Sequence, residues 1–241
     1  MHKGLTLFKK YRKQFSAFYL ALLAALLTSC SDDSTSAETD TFDASVVCPT
    51  DGMNAYGEPN RGTFVDARDG QEYKYVTIGN QVWMAENLKF DAPYSVCYDK
   101  IEGFCDTFGK FYSLHENGEY FGLFDQELLD TICPAGWHVP SVDEWNVLAD
   151  NMGGTEKAGV RLKSYENFGE YYKRGEDDCL FSALPAGYWL LDESLAKEYV
   201  TSIYWTSTAE NMTTSYSCGV FTDGVVFEMS KPKMSIRCLK D

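Results

Sequence analysis

Eight cysteines in 241 residues constrain this chain more than any other feature, because a disulfide pins two backbone points together whatever the segments between them do. Whether the cysteines can bridge depends on the compartment, and the N-terminus speaks to that. Residues 1–13 carry Lys3, Lys9, Lys10, Arg12 and Lys13 and no acid, and Phe15 to Leu27 is an apolar run, FSAFYLALLAALL. A membrane-spanning helix needs about 20 apolar residues, so this shorter run behind a basic start reads as a secretory signal. Disulfides are then expected, not reduced thiols.

The run ends in Leu27-Thr28-Ser29-Cys30, which resembles the bacterial lipobox, where a peptidase cuts before a cysteine whose sulfur carries diacylglycerol. The resemblance implies a signal peptide over residues 1–29, a lipid anchor on Cys30, and a place in the cell envelope at the outer membrane. Stable anchoring takes more than one acyl chain, and bacterial lipoproteins carry two or three. Removing residues 1–29 takes away five cations and no acid, which carries the formal net charge from -15 to -20. Such a surface disfavours nucleic acid and anionic lipid as partners. Residues 31–47, SDDSTSAETDTFDASVV, hold five acids, no base and few bulky apolar groups, so they read as a solvated tether. Ser31-Asp32-Asp33 resembles the acidic signal that sends lipoproteins of Bacteroidetes-like phyla to the cell surface. Residues 30–62 are assigned to the lipidated cysteine and tether, and residues 63–241 to one domain.

Seven cysteines remain after Cys30: Cys48, Cys97, Cys105, Cys133, Cys179, Cys218 and Cys238. None forms a CxxC pair, and no Cys/His array has zinc spacing. Cys97 and Cys105 flank Gly103, which allows a tight return, and they are expected to pair.

The domain is long enough for one substantial core, and aromatic residues make up 15% of the chain. Thr63 to Asp66, Tyr73 to Thr77 and Val82 to Met84 are extended segments separated by turn signals at Asp69-Gly70 and Gly79-Asn80. Further strand candidates are FSALPAGYWLL, SIYWTSTA, SYSCGVF, GVVFEMS and SIRCLK. Helices are few, so the class is α+β with a β-rich half.

The block CPAGWHVPSVDEWNVL, residues 133–148, gathers a cysteine, a histidine and an acid pair. Ser141 and Glu144 have capping-box spacing, with Pro140 and Trp145 placed for a hydrophobic staple. Asp143 and Glu144 lie at the positive end of the helix dipole. Val142, Trp145, Leu148, Ala149 and Met152 share one helical face, and Gly153-Gly154 stops it. His138 reads as a packing or hydrogen-bonding residue, so the whole block is framework.

Chemistry-bearing motifs are sparse. The chain has no GxSxG, P-loop or GxGxxG motif; no catalytic residue, cofactor-binding residue or metal ligand is assigned. Glu176-Asp177-Asp178 reads as a solvated acidic loop, with calcium the lesser alternative because hard cations take oxygen ligands. Tyr171, Tyr172 and Tyr188 are the candidate ligand-contact aromatics, while Trp189 and Trp205 are assigned to the core.

The segments DARDGQEYKYVTIGNQVWMAENLKF, CPAGWHVPSVDEWNVL, FSALPAGYW, YWTSTA and SIRCLKD resemble, in order, the Fibrobacter succinogenes major paralogous domain. That family consists of secreted and lipid-anchored bacterial proteins without an established biochemical role. A more distant similarity, in HVPSVDEWNVLA and the closing Ile236-Arg237-Cys238, is to formylglycine-generating enzymes and C-type-lectin-like folds. It implies a twisted antiparallel sheet with a few flanking helices, long loops and the chain ends together. The catalytic cysteine pair of the formylglycine enzymes has no counterpart here.

In such a fold Cys133 and Cys238, both in family-like blocks, would meet and pair. Cys179 and Cys218 fall outside the family pattern at strand-like positions and are expected to pair with each other, which leaves Cys48 free or linking chains. The functional expectation is a non-catalytic surface module that binds a glycan, polymer or protein partner. The alternatives are an envelope enzyme, either a hydrolase or a relative of the formylglycine enzymes, and a purely structural component.

Overall fold

The computed structural model describes residues 40–98, 101–166, 175–190, 194–196, 202–222 and 224–241. Cys30, Tyr171 and Tyr172 lie outside the described residues. Among the described residues no helix is long and apolar enough to cross a membrane.

The turn signals set the first sheet. Strands β1 (Arg61–Val65), β2 (Glu72–Ile78) and β3 (Gln81–Met84) form an antiparallel meander. Gly79, at φ +58°, takes the first position of the two-residue turn into β3, the place where a primed hairpin turn wants glycine. Two short strands complete the sheet: β4 (Trp137–His138) and β10 (Leu239–Lys240). The order is β1-β2-β3-β10-β4, so the chain's last strand lies inside the sheet formed by its first.

Alternation makes this sheet apolar on both faces. Val76, Ile78, Trp83 and Leu239 enter one buried cluster, and Tyr73, Tyr75, Val82 and Met84 enter another. The first cluster is closed by helices α4 (Val142–Asn151) and α5 (Thr155–Leu162). Trp145, Leu148, Ala149 and Met152 of the expected apolar face are fully buried. Three further short helices, α1 (Ala44–Val47), α2 (Phe104–Phe108) and α3 (Gln126–Thr131), sit on the connections.

A second antiparallel sheet, β7 (Ser202–Asn211), β8 (Thr214–Phe221) and β9 (Gly224–Met229), covers three of the expected strand runs. Residues 234–238 are the seam between the sheets. Trp205 N–H donates to the Ser235 carbonyl on one side, and Leu88 and Met84 N–H donate to Ile236 and Cys238 on the other. SIRCLK is therefore strand only at its last two residues, because its earlier backbone groups are divided between two partners. FSALPAGYWLL departs further. Only Tyr188–Trp189 is strand (β5), paired with β6 (Leu195–Ala196). Ser182 sits at φ +54°, where a continuous strand cannot run.

Cys97 bridges Cys105, and Cys133 bridges Cys238, with Cα atoms 5.8 and 6.0 Å apart. The third expected pair is corrected: Cys179 bridges Cys48, with Cα atoms 5.6 Å apart, and Cys218 is a buried free thiol. The physical reason lies in the last residues of the acidic stretch. Asp43 caps α1 by accepting from Ser45 N–H. Phe42, Ala44 and Val47 then pack on the first cluster, and the Val47 carbonyl accepts from Gly79 N–H. Residues 41–62 thus belong to the compact unit, which carries Cys48 into the core at 1% exposure.

Candidate functional site

The capping box forms as its spacing requires. Ser141 N–H donates to Glu144 Oε2 at 2.7 Å, and Glu144 N–H donates to Ser141 Oγ at 3.3 Å. Burial alone would raise the Glu144 carboxyl, but the hydrogen bonds from Ser141 and His138 outweigh it and hold it below the usual carboxylate range. His138 spans Glu144 Oε1 at 3.0 Å and Asp241 Oδ1 at 2.7 Å, tying α4 to the end of the chain. Ser141, Glu144 and His138 are thus committed to framework.

Two of the clefts among the described residues differ in chemistry. The first, of about 360 Å³, is lined among the described residues by Val96, Gly118, Tyr120, Trp189, Leu190, Pro232 and the cation Lys233. Its floor is aromatic. Trp189 is half-buried, with its ring 6.3 Å from Tyr98 and 6.1 Å from Phe111, at 71° and 42°. Those rings belong to a small cluster beside the Cys97–Cys105 bridge that also holds Phe104. Its wall is the loop 116–123, closed by a bridge between His115 and Phe124. Tyr120 hydroxyl fastens the loop by donating to the Ser230 carbonyl at 2.6 Å, and Lys233 Nζ donates to the Tyr94 carbonyl at 3.1 Å. At the root of the loop, His115 is fully buried among the rings of Tyr120, Phe124 and Trp205. Its Nε2 faces the Thr213 carbonyl at 3.3 Å, while Nδ1 has no partner among the described residues. Burial pushes its pKa down, against the lesser upward pull of that carbonyl.

The second cleft, of about 380 Å³, carries more charged groups, and it is called the polar cleft for them. Arg61, Lys74, Glu86, Ser164, Glu166 and Ser182 are among its lining. One wall is the loop 177–182, in which Asp177, Leu180 and Ser182 all have φ between +51° and +58°, a region that costs a non-glycine residue about 1–2 kcal/mol. Three ties hold it there. Cys179 is bridged to Cys48, and Asp177 accepts from Ser182 N–H and Oγ–H, each at 2.7 Å. Fully buried Arg237 donates to the Phe181 and Ser182 carbonyls and to Asn87 Oδ1. Burial pushes the Asp177 carboxyl up, against the pull of Ser182 and the Arg237 charge.

These commitments bear on the acidic triplet read as loop or calcium site. Asp177 spends both oxygens on Ser182, Asp178 faces Arg161 Nε at 3.8 Å, and no cluster of three candidate metal-binding side chains occurs among the described residues.

Of the candidate ligand-contact aromatics, Tyr188 is half-buried with Lys231 Nζ 5.8 Å from its ring centre, and it lies outside the lining of both clefts. Trp205 is core, at 0% exposure. Trp189, assigned to the core from sequence, lines the aromatic cleft instead. A two-residue strand buries neither face fully, so alternation carries no information at Tyr188 and Trp189. Tyr120 and Lys233 were missed because they sit on loops without a period.

The family model for the Fibrobacter succinogenes major domain matches residues 76–240. That is well over half the chain, and the protein belongs to this family. No curated protein and no solved structure matches it.

Proposed function

We propose that this protein is a cell-envelope lipoprotein, anchored through Cys30 and displayed at the outer-membrane surface, whose domain binds a polysaccharide without turning it over. The observation that carries the reading is Trp189 in the aromatic cleft. A half-buried indole backed by Tyr98 and Phe111 is a platform of the size of a sugar ring, and rigid aromatics give contact area at little entropic cost. Among the described residues the lining offers apolar surface and one cation, Lys233, which suits holding a ligand. Phe121 and Tyr94, 79% and 44% exposed, add aromatic surface on the cleft wall and at the backbone anchor of Lys233, as a polymer longer than one ring would use.

The C-type-lectin-like architecture is part of the same proposal. It is supported by the last strand lying between β3 and β4 and by the Cys133–Cys238 bridge joining the start of the α4 block to the C-terminus. The lipid anchor rests on the basic start, the apolar run and Leu27-Thr28-Ser29-Cys30 in that order. Mass spectrometry of the protein from its native membrane should find a lipidated N-terminal Cys30, and an intact Met1 would refute the anchor. The full chain in detergent should sediment with one or more insoluble polysaccharides and release no sugar from them. Release of reducing ends that a single carboxylate substitution abolishes would replace this reading with the enzyme.

A further inference from the structure

We propose that the polar cleft is a second ligand site, and that it takes a small zwitterion: a free amino acid or a short peptide with both ends unblocked. Its volume of about 380 Å³ lies in the range of small-molecule sites. The charges in its lining are sorted by how far they are already committed. Glu86 is spent, accepting from Lys89 Nζ at 3.2 Å and from Lys74 N–H at 2.8 Å. Arg61 gives one N–H to the Cys48 carbonyl, and its Nε is without a partner among the described residues. Neither the Lys74 ammonium nor the Glu166 carboxylate is in the ion pairs of the described residues. Lys74 and Glu166 are therefore the cleft's uncommitted cation and carboxylate among the described residues, with Arg61 partly committed beside them.

Those groups are distributed as a zwitterion needs them. Arg61 and Lys74 come from β1 and β2, on one side, and can receive a carboxylate. Glu166 follows Ser164 beyond α5 and can receive an ammonium group. Leu180 and Leu184 add apolar surface to the same lining, which an aliphatic side chain can use. The charge of the whole chain selects further. At a net charge of -15 the protein repels free anions, and a ligand of zero net charge approaches without that penalty. The wall facing these groups is preorganised by its disulfide and by Arg237, so a ligand would order little on binding.

Calorimetric titration of the full chain with L-leucine, L-leucyl-L-leucine, and the N-acetylated and C-amidated dipeptides tests the proposal. The dipeptide with free ends should bind, and each blocked form should bind at least about tenfold more weakly, a difference of 1.4 kcal/mol. Lys74→Ala should remove the discrimination against the amide, and Glu166→Gln the discrimination against the acetylated form. Both exposed-site variants should sediment with polysaccharide as the wild type does, which separates this site from the aromatic cleft. No heat from either free-ended compound at millimolar concentration, or equal binding of free and blocked dipeptides, would overturn it.

Discussion

The two clefts are nearly equal in volume and opposite in construction. The aromatic cleft is walled by a loop that packs Gly118 on the Tyr94 ring, is hydrogen-bonded to the body through the Tyr120 hydroxyl and is rooted at buried His115. The polar cleft is walled by a loop in unfavourable backbone geometry that a disulfide, a buried guanidinium and a carboxylate all restrain. A wall that can give suits a polymer that must thread in and out. A wall fixed at a cost in strain suits a small ligand recognised by charge placement.

The comparison breaks first at Arg237. Replacing it with Met leaves Asn87 Oδ1 and the Phe181 and Ser182 carbonyls buried without donors, and each such acceptor costs about 1–3 kcal/mol. Urea unfolding of Arg237→Met should show a loss on the order of 3–5 kcal/mol. A loss under 1 kcal/mol would mean that the 177–182 loop does not depend on it. Next is the bridge from Cys48 to Cys179, which closes a loop of 131 residues. Removing both cysteines as alanine should cost about 2–4 kcal/mol and weaken the dipeptide titration while leaving polysaccharide retention intact. If retention falls equally, the two clefts are not independent.

How much of this was legible in the sequence follows the same division. The meander β1–β3 is written in Asp69-Gly70 and Gly79-Asn80, helix α4 in Ser141 and Glu144, and the second sheet in three alternating runs. These are local codes, each satisfied by residues a few positions apart. The Cys48–Cys179 bridge is not local. The acidic composition of residues 31–47 hides the apolar turn at Ala44 to Val47 that delivers Cys48 to the core. The clefts were least legible, since their linings come from loops and chain crossings: Tyr120, Trp189 and Lys233 meet only after three separate segments have folded. Arg237, read as part of a family signature, has a physical role that only its buried acceptors reveal.

A smaller effect sharpens the comparison on the aromatic side. Burial holds the His115 pKa below the ordinary histidine value, so the folded protein keeps the ring neutral while the unfolded chain takes up a proton near pH 6.5. The stability linked to His115 is therefore full above pH 6.5 and declines as pH falls through the lower folded value. The rings of Tyr120, Phe124 and Trp205 and the Thr213 carbonyl that surround it carry no charge, so none of them compensates the added one. Between pH 7 and pH 5 the thermal midpoint of the wild type should fall more than that of His115→Gln. Equal slopes would mean that the ring is not held neutral.

The most direct test of the central claim is the affinity of Trp189→Ala for whichever polysaccharide the full chain sediments with. The indole lies at the cleft surface and not in the main core clusters, so the variant should keep its fold, checked by its thermal midpoint. Its affinity should fall at least about tenfold, or 1.4 kcal/mol, with Lys74→Ala as the unaffected reference. A folded Trp189→Ala protein that binds as tightly as the wild type would contradict the account and move the ligand away from the aromatic cleft.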